Sequence, residues 1–392
     1  MRLRKPARMN RVALRMLMGD RAKYLGILVG ITFASLLITQ QSAIYDGLLE
    51  RSYGAIVDQG FTDIWVMDPK VQQIDDYKYM QNTVLYRVRG VEGVAWAMPM
   101  YRGQIKARLE DGTQQACTVV GIDDTTLIGG PPVMVEGSLA DLRRADGVII
   151  DEREARDKLG KMQADGTKRP LKIGDTLEIN DHRTVVVGLC KTMRTFMWFP
   201  TVFTTYSRAL TIAPGERRQL AYVLVKAQAG ADRQALCEKI TAVTGMAALT
   251  SEGFKQKTLD FIMRETGIPI NFKISMFLGF LVGAVIAGQT FYNFTLDNLR
   301  HFGALKAMGA GNGLLMRMVL MQALLVGAIG YGLGVGLASL FGMLVSNTEL
   351  AFRLTEDRLL LSAGVVLIIC AFSALVSVRK VIKLEPAVVF RS

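Results

Sequence analysis

Four apolar stretches divide this chain unevenly, and that division limits what it can fold into. They run from Tyr24 to Ile44, Phe272 to Phe294, Met318 to Val345 and Leu359 to Val378, against the roughly 20 residues that a helix needs to cross the hydrocarbon core. Inside a bilayer the backbone has no water to bond to, so each stretch must be a helix that satisfies its own N–H and C=O groups. Residues 45–271 separate the first stretch from the second, whereas 295–317 and 346–358 are short connections. The layout is one span, an inserted domain, then three spans. Composition agrees: half the residues are hydrophobic and the mean hydropathy is +0.26, which excludes an ordinary soluble chain. The net charge of +12 comes without any nucleic-acid-binding signature and is the excess expected on the cytoplasmic flanks of spans.

The flanks set the orientation. The leader, residues 1–23, carries Arg2, Arg4, Lys5, Arg8, Arg11, Arg15, Arg21 and Lys23 against Asp20 alone. It resembles the charged start of a signal peptide, but it is long and Gln40-Gln41-Ser42 is no small-residue cleavage site, so it reads as a basic amphipathic segment before an uncleaved span. The tail, residues 379–392, carries Arg379, Lys380, Lys383 and Arg391 against Glu385, and the second connection carries Arg300, Lys306 and Arg317 against Asp297. Both ends and residues 295–317 are therefore expected in the cytoplasm, and residues 45–271 and 346–358 outside it.

The inserted region mixes strand-like and helix-like signals. Runs rich in branched and aromatic residues begin at Thr62, Cys117, Gly147, Thr184, Thr201 and Ala221. "DEREARDKLG" from Asp151 and "ADRQALCEKITAVTG" from Ala231 have acidic starts, helical apolar spacing and closing glycines. Their order is mixed rather than alternating, which predicts an α+β domain. The segments "SAIYDGLLERSYGAIVDQG" and "LTSEGFKQKTLDFIMRET" beside the spans read as helical extensions of spans one and two, together a stalk.

Catalytic chemistry has little to work with. There is no phosphate-binding loop, zinc-protease helix or nucleophile elbow, and Cys117, Cys190, Cys237 and Cys370 lack metal or redox spacing. His182 and His301 fall on opposite sides of the membrane. The spans hold no ionisable residue at their centres, Gln289 and Gln322 being their most polar side chains, so no proton relay or ion path is drawn in them. Small-xxx-small pairs recur at Gly26 and Gly30, Gly279 and Gly283, and Gly332 and Gly336; each allows helices to approach closely, within the chain or across a dimer seam. A membrane part with no energy source of its own, supporting a large outside domain, is expected to be driven by a cytoplasmic partner.

The segment "TLDNLRHFGALKAMGAG" is where such a partner would act. Read as a helix, it places Leu299, Phe302, Leu305 and Met308 on one stripe, with Arg300 and Lys306 away from it and Gly309 as the stop. "LRHFGALKAMGAG" resembles the cytoplasmic loop of MacB/FtsX-type ABC transporter permeases, matching their pattern at Arg300, Phe302, Gly303, Leu305, Lys306, Ala307, Met308, Gly309 and Ala310. The ending "RKVIKLEPAVVFR", with Glu385, Pro386, Phe390 and Arg391, and the four-span layout resemble the family too, and "LKAMG" is most similar to the DevC-like branch. His301 stands where the family usually has Glu, which removes an acidic contact.

The resemblance implies a bacterial inner-membrane permease that dimerises and binds two copies of a separate cytoplasmic ATPase. Docking is expected through Arg300, His301, Phe302, Leu305, Lys306, Met308 and Gly309. No cofactor is expected on this chain, ATP and Mg being held by the ATPase, and no metal or catalytic residue. Relatives transmit ATP-driven motion to the periplasm to export or extract amphiphiles, some with a periplasmic adaptor and an outer-membrane channel; others activate a periplasmic enzyme and carry nothing.

Overall fold

The computed structural model describes residues 6–163, 166–346 and 348–382, and of residues 6–11 and 380 the backbone alone. Arg2, Arg4 and Lys5 of the leader and Lys383, Glu385, Pro386, Phe390 and Arg391 of the ending lie outside the described residues.

In chain order, α1 (Pro6–Gly19) and α2 (Arg21–Val57) lead into β1 (Ile64–Met67), α3 (Thr83–Arg89), β2 (Val94–Arg108), β3 (Gln114–Ile122), β4 (Val133–Gly137), β5 (Gly147–Asp151), α4 (Glu152–Arg156), β6 (Lys161–Met162), β7 (Lys168–Arg169), β8 (Thr176–Ile179), β9 (His182–Lys191), β10 (Thr201–Thr205), α5 (Tyr206–Ile212), β11 (Tyr222–Ala227), α6 (Arg233–Thr244), β12 (Ala247–Thr250) and α7 (Ser251–Glu265). Then come α8 (Ile268–Asp297), α9 (Leu299–Ala307), α10 (Asn312–Val345) and α11 (Glu356–Ile382). The chain forms two compact units: Met1–Leu48 with Gly267–Ser392, and Leu49–Thr266.

In the first unit α2, α8, α10 and α11 are long and apolar enough to cross a membrane. Each extends past the apolar stretch that predicted it. Lipid tails give no hydrophobic drive for one helix to join another, so close backbone approach at small residues does that work. A Cβ added at Gly26 would come within 3.2 Å of Thr290 on α8, and one at Gly30 within 2.7 Å of Ile286. From the other side, a Cβ at Gly279 would meet Leu37 at 3.1 Å and one at Gly283 would collide with the Ala34 Cβ. Both pairs are therefore used inside the chain, joining α2 to α8. In span three Gly330 and Gly334 are pressed against Ile31 and Ser35 of α2, while Gly332 and Gly336 have open space around them, so of the two uses expected for that pair, packing within the chain is not the one seen. At the other end of α2, Arg358 Nε and Nη2 each donate to Asp46 at 2.7 Å, tying α2 to α11. Gln322 is buried, its Nε2 donating to the Ala13 carbonyl and fastening α1 to α10.

One expected extension is interrupted. α2 runs unbroken to Val57, but α7 stops at Glu265, where Thr266 is extended (φ −111°, ψ 151°) before α8 begins at Ile268. The segment before span two is a helix, though not a continuation of that span.

The second unit is α+β, built on a ten-stranded sheet in the order β12-β1-β11-β2-β3-β10-β5-β9-β4, with β8 paired to both β2 and β9. β3–β10 and β5–β9 are parallel within a mostly antiparallel sheet. The long strand β2 joins two halves: Val94–Met100 pairs with β11, and Tyr101–Arg108 pairs with β3. Helix α6 starts where Asp232 accepts from the Gln234 N–H and ends at Gly245, whose φ of 73° suits glycine. Around the end of α2, Trp65, Tyr222 and Phe254 pack ring against ring at 5.5–6.0 Å. All four cysteines are free and buried, and burial pushes the Cys117 and Cys237 thiols up to about 12 and about 11, so both stay protonated.

Beside those rings lies a group of charges. Arg102 is buried and donates to Asp75 through Nε and Nη2. Asp151 accepts from the Thr192 N–H and hydroxyl. Asp58, just beyond α2, accepts from the Met193 N–H at 2.9 Å. Burial pushes the Asp58 carboxyl up to about 6; the Met193 N–H and Arg102 pull it down, and Asp151 pushes it up.

Two predictions follow from this packing. An acid with raised proton affinity binds its proton more tightly folded than unfolded, so its contribution is full below the unfolded value and is lost as pH rises through about 6. Asp58→Asn keeps an acceptor for Met193 without the charge; it is expected to raise Tm by about 2–4 °C at about pH 7.5 and to leave Tm unchanged below about pH 4, read by scanning fluorimetry. In the spans, Gly283→Val forces apart α2 and α8 and is expected to cost about 1–3 kcal/mol, whereas Gly332→Val leaves thermal stability in detergent unchanged.

Candidate coupling site

The site is the turn between α8 and α10. Asn298 closes α8 by donating from Nδ2 to the Phe294 carbonyl at 2.9 Å, and α9 then starts at Leu299. α9 ends in a two-bond lock. The Gly309 N–H donates to the Lys306 carbonyl and the Ala310 N–H to the Leu305 carbonyl, both at 3.0 Å, with Gly309 at φ 90°. That is the Schellman arrangement, in which the left-handed residue is glycine because a side chain would strain there. Ala310 is buried in the same core cluster as Leu305.

The apolar stripe divides into buried and exposed residues. Phe302 is fully buried (0% exposed) and Leu305 nearly so, in one core cluster with Leu17, Phe291, Phe294, Leu315, Val378 and Val381. Both face their own chain, a correction to their place on the expected docking surface. Met308 is instead 59% exposed, because it sits at the C-cap, where the helical phase ends. Arg300, His301, Ala304, Ala307 and Gly309 are exposed with it. Lys306 is half-buried, and its Nζ donates to the Ile382 carbonyl at 3.0 Å. Nearby, Lys23 bridges Asp20 and Asp297, and this partner holds the Asp20 carboxyl below the usual range.

The helix has two contrasting faces. Its outward face carries charge, one flexible apolar side chain and small residues; its inward face is locked to α8 and α11. Among the described residues no group of His, Cys, Asp and Glu could hold a metal.

Four span-length helices, an inserted sheet-rich domain and a buried-backed helix between spans two and three define a multi-pass membrane protein of permease type. Family comparison gives the same result over almost the whole chain: the MacB-like periplasmic core domain matches residues 24–243, and the FtsX-like permease C-terminal domain matches residues 273–386. The chain belongs to the MacB/FtsX-type ABC transporter permease family.

It is similar to the uncharacterized ABC transporter permeases MT0078 and Rv0072 of two Mycobacterium tuberculosis strains, each 23% identical over 227 residues. That match covers 56% of this chain and 58% of each relative. Among solved structures it is similar to the periplasmic region of MacB from Actinobacillus actinomycetemcomitans (14% identity, 54% of this chain, 97% of that one, TM-score 0.38). It is also similar to the extracellular domain of the noncanonic ABC-type transporter YknZ from Gram-positive bacteria (13%, 48%, 98%, 0.34).

Proposed function

We propose that this chain is the non-catalytic permease subunit of an ABC transporter, of the DevC-like kind whose ATPase is a separate chain. Two copies of the permease engage two copies of the ATPase, which alone bind ATP and Mg; the closure of the ATPases drives export or extraction of an amphiphile from the membrane. The observation that carries this reading is the construction of α9. Its exposed face of Arg300, His301, Ala304, Ala307 and Met308 is backed by buried Phe302 and Leu305 and held at its end by Gly309 and Lys306. A surface built this way passes a push to α8 and α11 instead of absorbing it.

Orientation follows the charge bias: both termini and α9 on the cytoplasmic side of a bacterial inner membrane, the inserted domain outside. The open faces of Gly332 and Gly336, with exposed Leu333, Leu337 and Leu340 beside them, are left for lipid or for the second copy. The likeness of the inserted domain to the MacB-like core favours transport, with a periplasmic adaptor and outer-membrane channel as partners, over an FtsX-like regulator that carries nothing.

Ala304→Asp with Met308→Asp is expected to reduce co-purification of the ATPase at least tenfold while thermal stability in detergent is retained, since both residues are exposed; undiminished co-purification overturns the docking face. Single cysteines at Ala140 and Asn312, both exposed, test the orientation. A membrane-impermeant maleimide should label position 140 in intact cells and position 312 only after permeabilisation, and the opposite pattern reverses the topology.

A further inference from the structure

Just beyond α2 lies a cavity of about 20 Å³, lined by Asp58, Gln59, Trp65, Arg102, Met193 and Thr195 among others. Three of its lining residues are over nine-tenths buried and carry a polar atom with no protein partner: the Trp65 Nε1–H, the Gln59 Oε1 and the Thr195 hydroxyl. Gln59 cannot hide its oxygen by flipping, because its Nε2 already donates to the Gly129 carbonyl at 3.0 Å and the Gly130 carbonyl at 3.4 Å. Leaving a buried donor or acceptor unmade costs about 1–3 kcal/mol each, and the residues that carry these three groups all line one space, which points to a shared occupant.

Size and chemistry specify it. The volume suits one water, which needs about 10–15 Å³ and two to four polar partners. A cation is opposed by the indole N–H and by Arg102; an anion is opposed by Asp58 and the Gln59 oxygen. What remains is a small neutral molecule that both donates and accepts.

We propose that this cavity binds a single ordered water, which accepts from the Trp65 Nε1–H, donates to the Gln59 Oε1 and the Thr195 hydroxyl oxygen, and thereby joins the end of α2 to the Thr192–Pro200 loop. The loop is already held at its base by the Met193 N–H to Asp58 bond and by Gly54, where an added Cβ would lie 3.0 Å from the Met193 Cβ. Its tip carries exposed Met197 and Trp198, the latter at φ 56°, a costly conformation for a bulky residue. The water sets where that apolar tip is aimed relative to α2. The charged and titratable groups around the joint are Asp58, Arg102, Asp75, Asp151, the Cys190 thiol and the loop's own Arg194. Because burial raises the proton affinity of Asp58, the joint is neutral on the acid side of about pH 6 and charged above it.

The test uses the full chain in lipid nanodiscs. Hydrogen exchange of residues 192–200 reads the local opening equilibrium for the wild type, Trp65→Phe, Thr195→Val and the double variant. A bridging water makes the two sites interdependent, so the product of the single effects should exceed the double effect by about fivefold or more; effects that multiply within about twofold overturn the proposal. A density map at about 2 Å keeps the test independent of variant folding. It should show one solvent peak within hydrogen-bond distance of the Trp65 Nε1 and at least one of the other two atoms, and a dry cavity or direct side-chain pairing there overturns the water.

Discussion

Close backbone contact at glycine holds α2 from two sides, and the arrangement of the other spans depends on it. In lipid the helices gain nothing from burying apolar surface against each other, so the seam must be won by van der Waals contact and a few polar bonds. Gly283 over Ala34 and Gly30 over Ile286 bring α8 in; Gly330 over Ile31 and Gly334 over Ser35 bring α10 in on another side. The bidentate Asp46–Arg358 pair then adds α11. Truncating one partner of a shielded pair leaves the other uncompensated, so this bond fixes geometry as much as it adds stability.

The same helix has a second role. Past the apolar stretch α2 keeps its helical form to Val57, and in the next two residues Asp58 and Gln59 take hold of the Met193 N–H and the Gly129 and Gly130 carbonyls. These are directional polar bonds in a place where apolar packing would have been cheaper. Burying Asp58 destabilises the charged form enough to push its carboxyl up to about 6. What the carboxylate supplies in return is a directional bond that fixes the Met193 end of the loop.

Much of this was legible in the sequence, for identifiable reasons. The spans announce themselves because hydrocarbon admits few alternatives to a helix, and α6 and the Gly309 stop are readable because capping is local chemistry. Strand β2 was missed: "VAWAMPMYRGQIKAR" contains Pro99 and Gly103, which read as breakers, yet Pro99 sits opposite Val223 within the sheet. The glycines of span three show another limit. A tetrad at every second position places alternate pairs in different directions, and only the neighbouring helix decides that Gly330 and Gly334 are used. The stripe of α9 was found, but its direction was not, since an apolar face fits a helix's own bundle as well as it fits a partner.

That last ambiguity bears on how a push could travel. With Phe302 and Leu305 inside, α9 is part of the bundle core and not a flap laid on it. Lys306 donates to the carbonyl of Ile382, in the last turn of α11, and the Schellman lock removes the slack that a glycine-edged loop would otherwise have. Displacing α9 therefore displaces α8 and α11 together, at the cost of breaking core contacts if they do not follow. If a partner presses on Met308 and its exposed neighbours, as proposed, local yielding is the more expensive response. His301 lies on that exposed face, apart from the lock beneath it.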